Sequence, residues 1–240
     1  YDNYKFQFTD ISTLDITDYL AVDKFVKKYN IKVIINCAAY TAVEKAESEP
    51  EIADLINHLA VANFAKVSKK YKIKLIHIST DYVFDGKRTE SYSEDCITNP
   101  ESVYGKTKLD GELAIQKTNP KNSVIIRTSW LYSGFGNNFV KTMLELSKQK
   151  SEIDIVSDQI GTPTYARDLA VFIIENIPKI TNEKTEIFHF SNAGKCSWYD
   201  FARAIFNIKN IDIKLNPVSS SQMKSKVKRP KYSVMNKTKI

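Results

Sequence analysis

Arginine is scarce in this chain: of 35 basic residues, only those at 88, 127, 167, 203 and 229 are arginines, against 28 acidic residues and a formal charge of +7. A nucleic-acid surface wants basic residues clustered with arginine and aromatic contacts. The lysines here are scattered, which reads as solvated surface with a mild attraction for phosphate-bearing small molecules. Cysteine is scarcer still. Residues 37, 96 and 196 are odd in number and far apart, which argues against a disulfide framework and for a reducing, cytoplasmic setting. Histidines 58, 77 and 189 fall on no metal-ligand spacing and no Cys-x-x-Cys occurs, so zinc chemistry and a Ser-His-Asp hydrolase are poor readings. No apolar run approaches the roughly 18 residues of a membrane span, and no secretory signal pattern opens the chain. Neither nucleic acid nor membrane is an expected partner.

What is present is a globular balance, 42% hydrophobic and 26% charged over 240 residues, enough for one large domain or one domain with a smaller lobe. A short strand is expected at 5–9 and a helix over 17–29. Residues 32–36 form a β-branched run without alternation, as in a strand covered on both faces. Further along, the pattern predicts a long helix from 50 to 71, a strand at 74–78, a helix from 99 to 117 opened by Asn99-Pro100, a strand at 123–128 and a helix at 137–148. This rhythm specifies an α/β fold, a Rossmann-type doubly wound parallel sheet, over 1–150. Beyond 151 the pattern shortens, with strands near 153–156 and 186–190 and helices near 165–177 and 197–207. That predicts a smaller α/β substrate lobe over 151–240, with the 165–177 helix able to pack back on the first domain. Ligands of such sheets bind beyond the carboxyl ends of the strands. Weight therefore falls on Asp10, residues 36–41, Ser79-Thr80-Asp81 and Ser129-Trp130.

Tyr104-Gly-Lys-Thr-Lys108 places a phenol and an ammonium on one helical face. A free phenol has a pKa of about 10, and an ammonium beside it favours the phenolate and brings it toward useful acid–base range. Tyr1 and Lys5 share the spacing, so spacing alone leaves open a solvent-facing pair on an amphipathic helix.

Four segments in order distinguish the second pair: Asn36-Cys-Ala-Ala-Tyr-Thr-Ala-Val-Glu-Lys-Ala-Glu47, Ser79-Thr-Asp-Tyr-Val-Phe-Asp-Gly86, Tyr104-Gly-Lys-Thr-Lys108 and Arg127-Thr-Ser-Trp130. Together with Gly136 to Met143, Asp158-Gln-Ile-Gly-Thr-Pro-Thr164 and Arg229-Pro-Lys-Tyr-Ser233, the chain resembles the dTDP-4-dehydrorhamnose reductases, a branch of the extended short-chain dehydrogenases/reductases. The Ser-Thr-Asp-Tyr-Val-Phe and Asp-Gln-x-Gly-x-Pro-Thr segments are the specific ones; Tyr-x-x-x-Lys marks only the superfamily. One departure is large. The family opens with a strand and a Gly-x-x-Gly-x-x-Gly turn that cradles the cofactor pyrophosphate, and this chain has neither. In the order 3-2-1-4-5-6 that strand is central, and its loss would leave buried backbone groups unpaired at about 1–3 kcal/mol each. We therefore expect about 25–30 further N-terminal residues in the natural protein, on the family's pattern.

The resemblance implies hydride transfer from NADPH or NADH to the C4 ketone of a dTDP-linked 4-keto-6-deoxyhexose. Tyr104 is then the general acid, Lys108 its tuning partner and a holder of the nicotinamide ribose, and Thr80 a second donor to the developing alkoxide; a strand-end hydroxyl capping local backbone is the competing reading. Asp10 ends the first strand, where a carboxylate can accept from the adenosine ribose, or is a loop aspartate. Asp15 and Ile16 are expected near the adenine, and Ala38, Ala39, Tyr40 and Thr41 where the dinucleotide passes, unless the alanines only ease packing. Asp81 and Tyr82 are residues that touch substrate or cofactor, or serve the turn, and Trp130 can pack on a sugar or base face. Asn138, Gln159 and Arg229 are nucleotide-diphosphate candidates set against structural roles. Mg2+ and a homodimer rest on the resemblance alone, with no ligands mapped. The rivals are a cofactor-binding regulatory subunit resembling the partner of methionine adenosyltransferase, and a reductase or epimerase of another nucleotide sugar.

Overall fold

Four short strands build the main sheet of the computed structural model, which describes residues 4–223, 225 and 227–240. They are β1 (Val33–Asn36), β2 (Lys74–Thr80), β3 (Ser123–Thr128) and, after a strand β4 (Glu152–Val156) that lies elsewhere, β5 (Glu186–His189). The order across the sheet is β1-β2-β3-β5, with every pair parallel. β3 is buried at all of its residues, as a strand covered on both faces must be.

Period-two alternation sends neighbouring side chains into two separate cores. Leu75 and Ile125 join Val22, Val26, Val61, Phe64 and Ala65 under helices α1 (Tyr19–Lys28) and α2 (Ala60–Tyr71). Ile76, Val124 and Ile126 face the other way, onto Leu169 and Ile173 of a later helix. Each such side chain, fully buried, contributes about 1.5–3 kcal/mol. Helix α3 (Val103–Thr118) packs beside α2. Next come α4 (Phe139–Ser147), α5 (Ala166–Asn176), which carries Leu169 and Ile173, and α6 (Trp198–Lys209). β4 pairs in parallel with β6 (Lys214–Val218). That ribbon shares its core, Met143, Ile153, Ile155, Ala202, Ile205 and Phe206, with α4 and α6.

The departures from sequence expectation have physical reasons. Residues 5–9 form no strand, because β-prone composition yields one only where a neighbouring backbone completes the ladder, and none pairs with them among the described residues. Tyr1 lies outside those residues, so its pair with Lys5 does too. The helix expected from Asn99-Pro100 starts at Val103. Asn99 N–H is drawn to Val83 O at 2.9 Å, and Ser102 is the true cap, its Oγ accepting from Gly105 N at 3.1 Å. The helix expected at 50–71 is interrupted by a π-helical turn, Leu55–Leu59.

Candidate active site

The carboxyl ends of β1 and β2 gather the chemistry-bearing side chains. β2 ends at Thr80 and turns into a short 3-10 segment, Asp81–Val83. Thr80 Oγ1 caps that turn, accepting from Tyr82 N at 3.2 Å and donating to Asp81 Oδ1 at 3.3 Å. The same side chain is hydrogen-bonded with the Tyr104 hydroxyl. α3 reaches this turn because residue 105 is glycine: a Cβ there would lie 2.3 Å from Tyr82 O. The rings of Tyr82 and Tyr104 then meet edge to face, centroids 5.4 Å apart, and Thr80, Asp81 and Tyr104 share one corner.

One helical turn deeper, Lys108 is 1% exposed. Its Nζ donates to Ile78 O at 2.6 Å and lies 3.4 Å from His77 Nε2. Another turn on, Glu112 accepts from Arg127 Nη2 at 2.7 Å and from Ser79 Oγ at 2.5 Å. This buried pair bolts α3 to β2 and β3 and fixes the rotation that aims Tyr104 and Lys108.

The electrostatics differ from the expectation that Lys108 lowers the Tyr104 pKa. Burial pushes the Tyr104 phenol above its ordinary range, against the Thr80 hydrogen bond, with Asp81 and Tyr82 adding to the rise. Lys108 commits its nitrogen to Ile78 O, and burial lowers its pKa to about 8 against the pull of Glu112 and Cys37. Burial likewise raises Asp81 to about 6, opposed by hydrogen bonds from Ser233 and Thr80. Asp81 Oδ2 is buried without a partner. Tyr82 is raised to about 12 by burial, with Arg229 opposing.

Beyond β1 the chain forms a shelf of small residues. Asn36 Oδ1 accepts from Ala38 N at 3.1 Å, Cys37 and Ala38 are exposed, and Ala39 and Tyr40 are half-buried. The shelf is clamped by Asn57, buried on the π-helical turn. Its Oδ1 accepts from Tyr40 N at 2.8 Å, and its Nδ2 donates to Tyr40 O and to Thr107 Oγ1, both at 3.1 Å. Thr41 is exposed at the rim. Asp10 is exposed and caps its own turn, Oδ1 accepting from Ser12 and Thr13; those hydrogen bonds hold its carboxyl below the usual range. Asp15 does the same for Thr17, and Ile16 packs on the α1–α2 core with its carbonyl bonded by Asn63.

The remaining candidates lie further out. The indole of Trp130 stacks on that of Trp198 with centroids 3.5 Å apart. Asn138 caps α4, accepting from Lys141 N at 3.2 Å while its Nδ2 donates to Ser133 O at 2.8 Å. Gln159 is buried and donates to Ser220 Oγ at 3.0 Å. Arg229 reaches back over the first corner, pairing with Glu44 at 3.1 Å and hydrogen-bonding Tyr82. Asp54, His58 and Asp110 lie close enough for one ion on the outer helices, but they are half-exposed, and His58 is already paired with Asp54 at 2.9 Å. Sequence reasoning missed Asn57, Ser233, His77 and Glu112. A polar residue inside an otherwise apolar helix face was the available signal for Asn57, and a histidine inside a buried strand for His77.

A parallel sheet that gathers a threonine, a tyrosine and a lysine at its carboxyl edge is the layout of the short-chain dehydrogenases/reductases. The model of the RmlD substrate binding domain matches residues 2–240. The chain is 42% identical to the spore coat polysaccharide biosynthesis protein SpsK of Bacillus subtilis, over 93% of this chain and 77% of that one. It is 40% identical to a dTDP-4-dehydrorhamnose reductase of Aggregatibacter actinomycetemcomitans, over 99% and 83%. The dTDP-4-dehydrorhamnose reductase of Bacillus anthracis, solved in complex with NADP, superposes with a TM-score of 0.95 at 41% identity, covering 99% of this chain and 83% of that one. The chain belongs to the dTDP-4-dehydrorhamnose reductase family.

Proposed function

We propose that this chain is an NAD(P)H-dependent reductase that converts the C4 ketone of dTDP-4-dehydro-L-rhamnose to the alcohol of dTDP-L-rhamnose. The observation that carries the reading is the corner where Thr80, Tyr104 and the orphaned Asp81 oxygen meet, in a chain about two-fifths identical to named reductases. A buried oxygen without a partner costs stability unless a ligand satisfies it, and two hydroxyls beside it suit a polar, carbonyl-bearing guest.

The same donor set fits a nicotinamide dinucleotide. Ala38, Ala39, Tyr40 and Thr41 offer a shelf, Lys108 a cation for the ribose hydroxyls, and Asp10, Asp15 and Ile16 a rim for the adenosine end. When bound, the reduced nicotinamide supplies a hydride to the carbonyl carbon. This chain's residues handle the proton. Tyr104, kept protonated by burial, gives its proton to the ketone oxygen, and Thr80 donates a second hydrogen bond to the developing alkoxide. Lys108, charged below about pH 8, then stabilises the tyrosinate left behind. Trp130, Asn138, Gln159 and Arg229 are assigned to the sugar nucleotide, whose distant contacts position the ketone.

Three free cysteines and a nucleotide-linked substrate support a cytoplasmic setting; no helix of the described residues is long and apolar enough to cross a membrane. Half-exposed Ile52, Leu55 and Leu59 at helical spacing, with Leu113 on the neighbouring helix, support a homodimer through that face. Oxidation of NADPH on adding dTDP-4-dehydrorhamnose tests the activity. Tyr104→Phe is expected to lower kcat by about 10²–10⁴-fold while still binding cofactor. A wild-type chain that binds cofactor yet oxidises none with any 4-keto sugar nucleotide would leave only the regulatory reading.

A further inference from the structure

Asn36 and His77 face each other across β1 and β2 as register partners. The Asn36 amide is oriented by the backbone: its oxygen accepts from Ala38 N–H at 3.1 Å, which turns its Nδ2 hydrogens toward His77 Nδ1 at 3.0 Å. A donor aimed at Nδ1 requires a lone pair there, so the one proton of the neutral imidazole sits on Nε2. His77 is fully buried and kept neutral by that burial and by the charge of Lys108. Its Nε2–H therefore points at Lys108 Nζ, 3.4 Å away.

An ammonium at that position meets another donor; an amine can accept from it. Ile78 O, 2.6 Å from Nζ, accepts a hydrogen bond from either form. The other groups that act on the nitrogen favour its charge. Glu112, on the same helix, is itself committed to Arg127, and Cys37 lies just beyond β1. We propose that His77 is a positioning residue which, locked as its Nε2–H tautomer by Asn36 and Ala38, biases Lys108 toward the uncharged amine. The backbone of the 36–41 shelf thereby sets the proton occupancy of a lysine on the next strand's helix. The tautomer assignment stands on its own; its consequence for turnover rests on the reductase reading above.

The test uses the full chain with 15N-labelled histidine. Its three imidazoles, His58, His77 and His189, are assigned with His77→Gln. The expected result is a bare Nδ1 and a protonated Nε2 at His77 from about pH 6 to 9. Asn36→Asp supplies a carboxylate that accepts from both Ala38 N–H and an Nδ1–H. It should reverse the tautomer, let Nε2 accept from the ammonium, and move the alkaline limb of the kcat/KM profile up by about one pH unit. A protonated Nδ1 in the unaltered chain overturns the proposal without any variant having to fold, and so does an Asn36→Asp chain that keeps the Nε2–H tautomer. Absence of wild-type turnover with a 4-keto sugar nucleotide would instead strike the functional reading and leave the imidazole measurement intact.

Discussion

Asp81 sits where its negative charge is disfavoured. Its pKa rises from 3.8 to about 6 on folding, so between those values the folded chain holds a proton that the unfolded chain has lost. Stability therefore falls as pH rises through that window, and the whole cost is present above about pH 6. Asp81→Asn removes the charge and keeps the shape. It is expected to stabilise the chain by about 1–3 kcal/mol at neutral pH, a gain that fades as the pH is lowered toward about 4. Thermal melts across that range check the sign, and a constant gain at all pH values would contradict it. The same residue shows what was legible in the sequence. Spacing placed Tyr104 and Lys108 on one helical face, and it was the neighbouring motifs that singled out that pair together with Thr80. The direction of the Tyr104 shift was not legible, because it depends on how deeply the hydroxyl is buried and on Lys108 turning to Ile78 O. Neither is encoded in spacing.

Helix α3 carries Tyr104 and Lys108 of the proposed site, and it is held there by close backbone approach as well as by the Glu112–Arg127 pair. A Cβ on Gly111 would lie 2.2 Å from Asn57 O on the π-helical turn. Alanine at an exposed helix position gains about 1 kcal/mol over glycine, so the sign of Gly111→Ala separates propensity from packing. The contact wins: the variant is expected to lose about 1–3 kcal/mol, read as a lower urea midpoint with unchanged slope. An unaltered or raised midpoint would show the helices to be further apart than described. At this scale β3 was legible to the residue, because its β-branched centre, Val124 to Ile126, lies between the loop at Asn119-Pro120 and the Ser129-Trp130 turn. The start of α3 was not. Asn99-Pro100 and Ser102 both offer cap chemistry, and a long-range bond from Asn99 N–H to Val83 O decides between them.

For the whole molecule, the sheet was legible from the alternation of buried runs with amphipathic helices. The route of the later chain was harder, since β5 returns to pair with β3 after β4 has already left for the second ribbon. The four apolar side chains at 52, 55, 59 and 113 are the face proposed above for a homodimer. Leu59→Lys is expected to shift sedimentation from twice the chain mass to the single chain, because an unpaired charge at an apolar contact is costly. A monomeric wild-type chain at micromolar concentration would refute the dimer.

Arg229 and Glu44 meet at 3.1 Å although 185 positions separate them, and Ser233 reaches back in the same way to Asp81. The corner that holds Tyr82 and Tyr104 is thus roofed by residues 229–233, far along the chain from the segments they cover. A folding chain can lay down its sheet early, yet closure over such a span is slow. Competence to bind a guest should therefore follow this long-range closure rather than the laying down of the sheet, and a chain lacking that roof would be folded in outline and empty-handed.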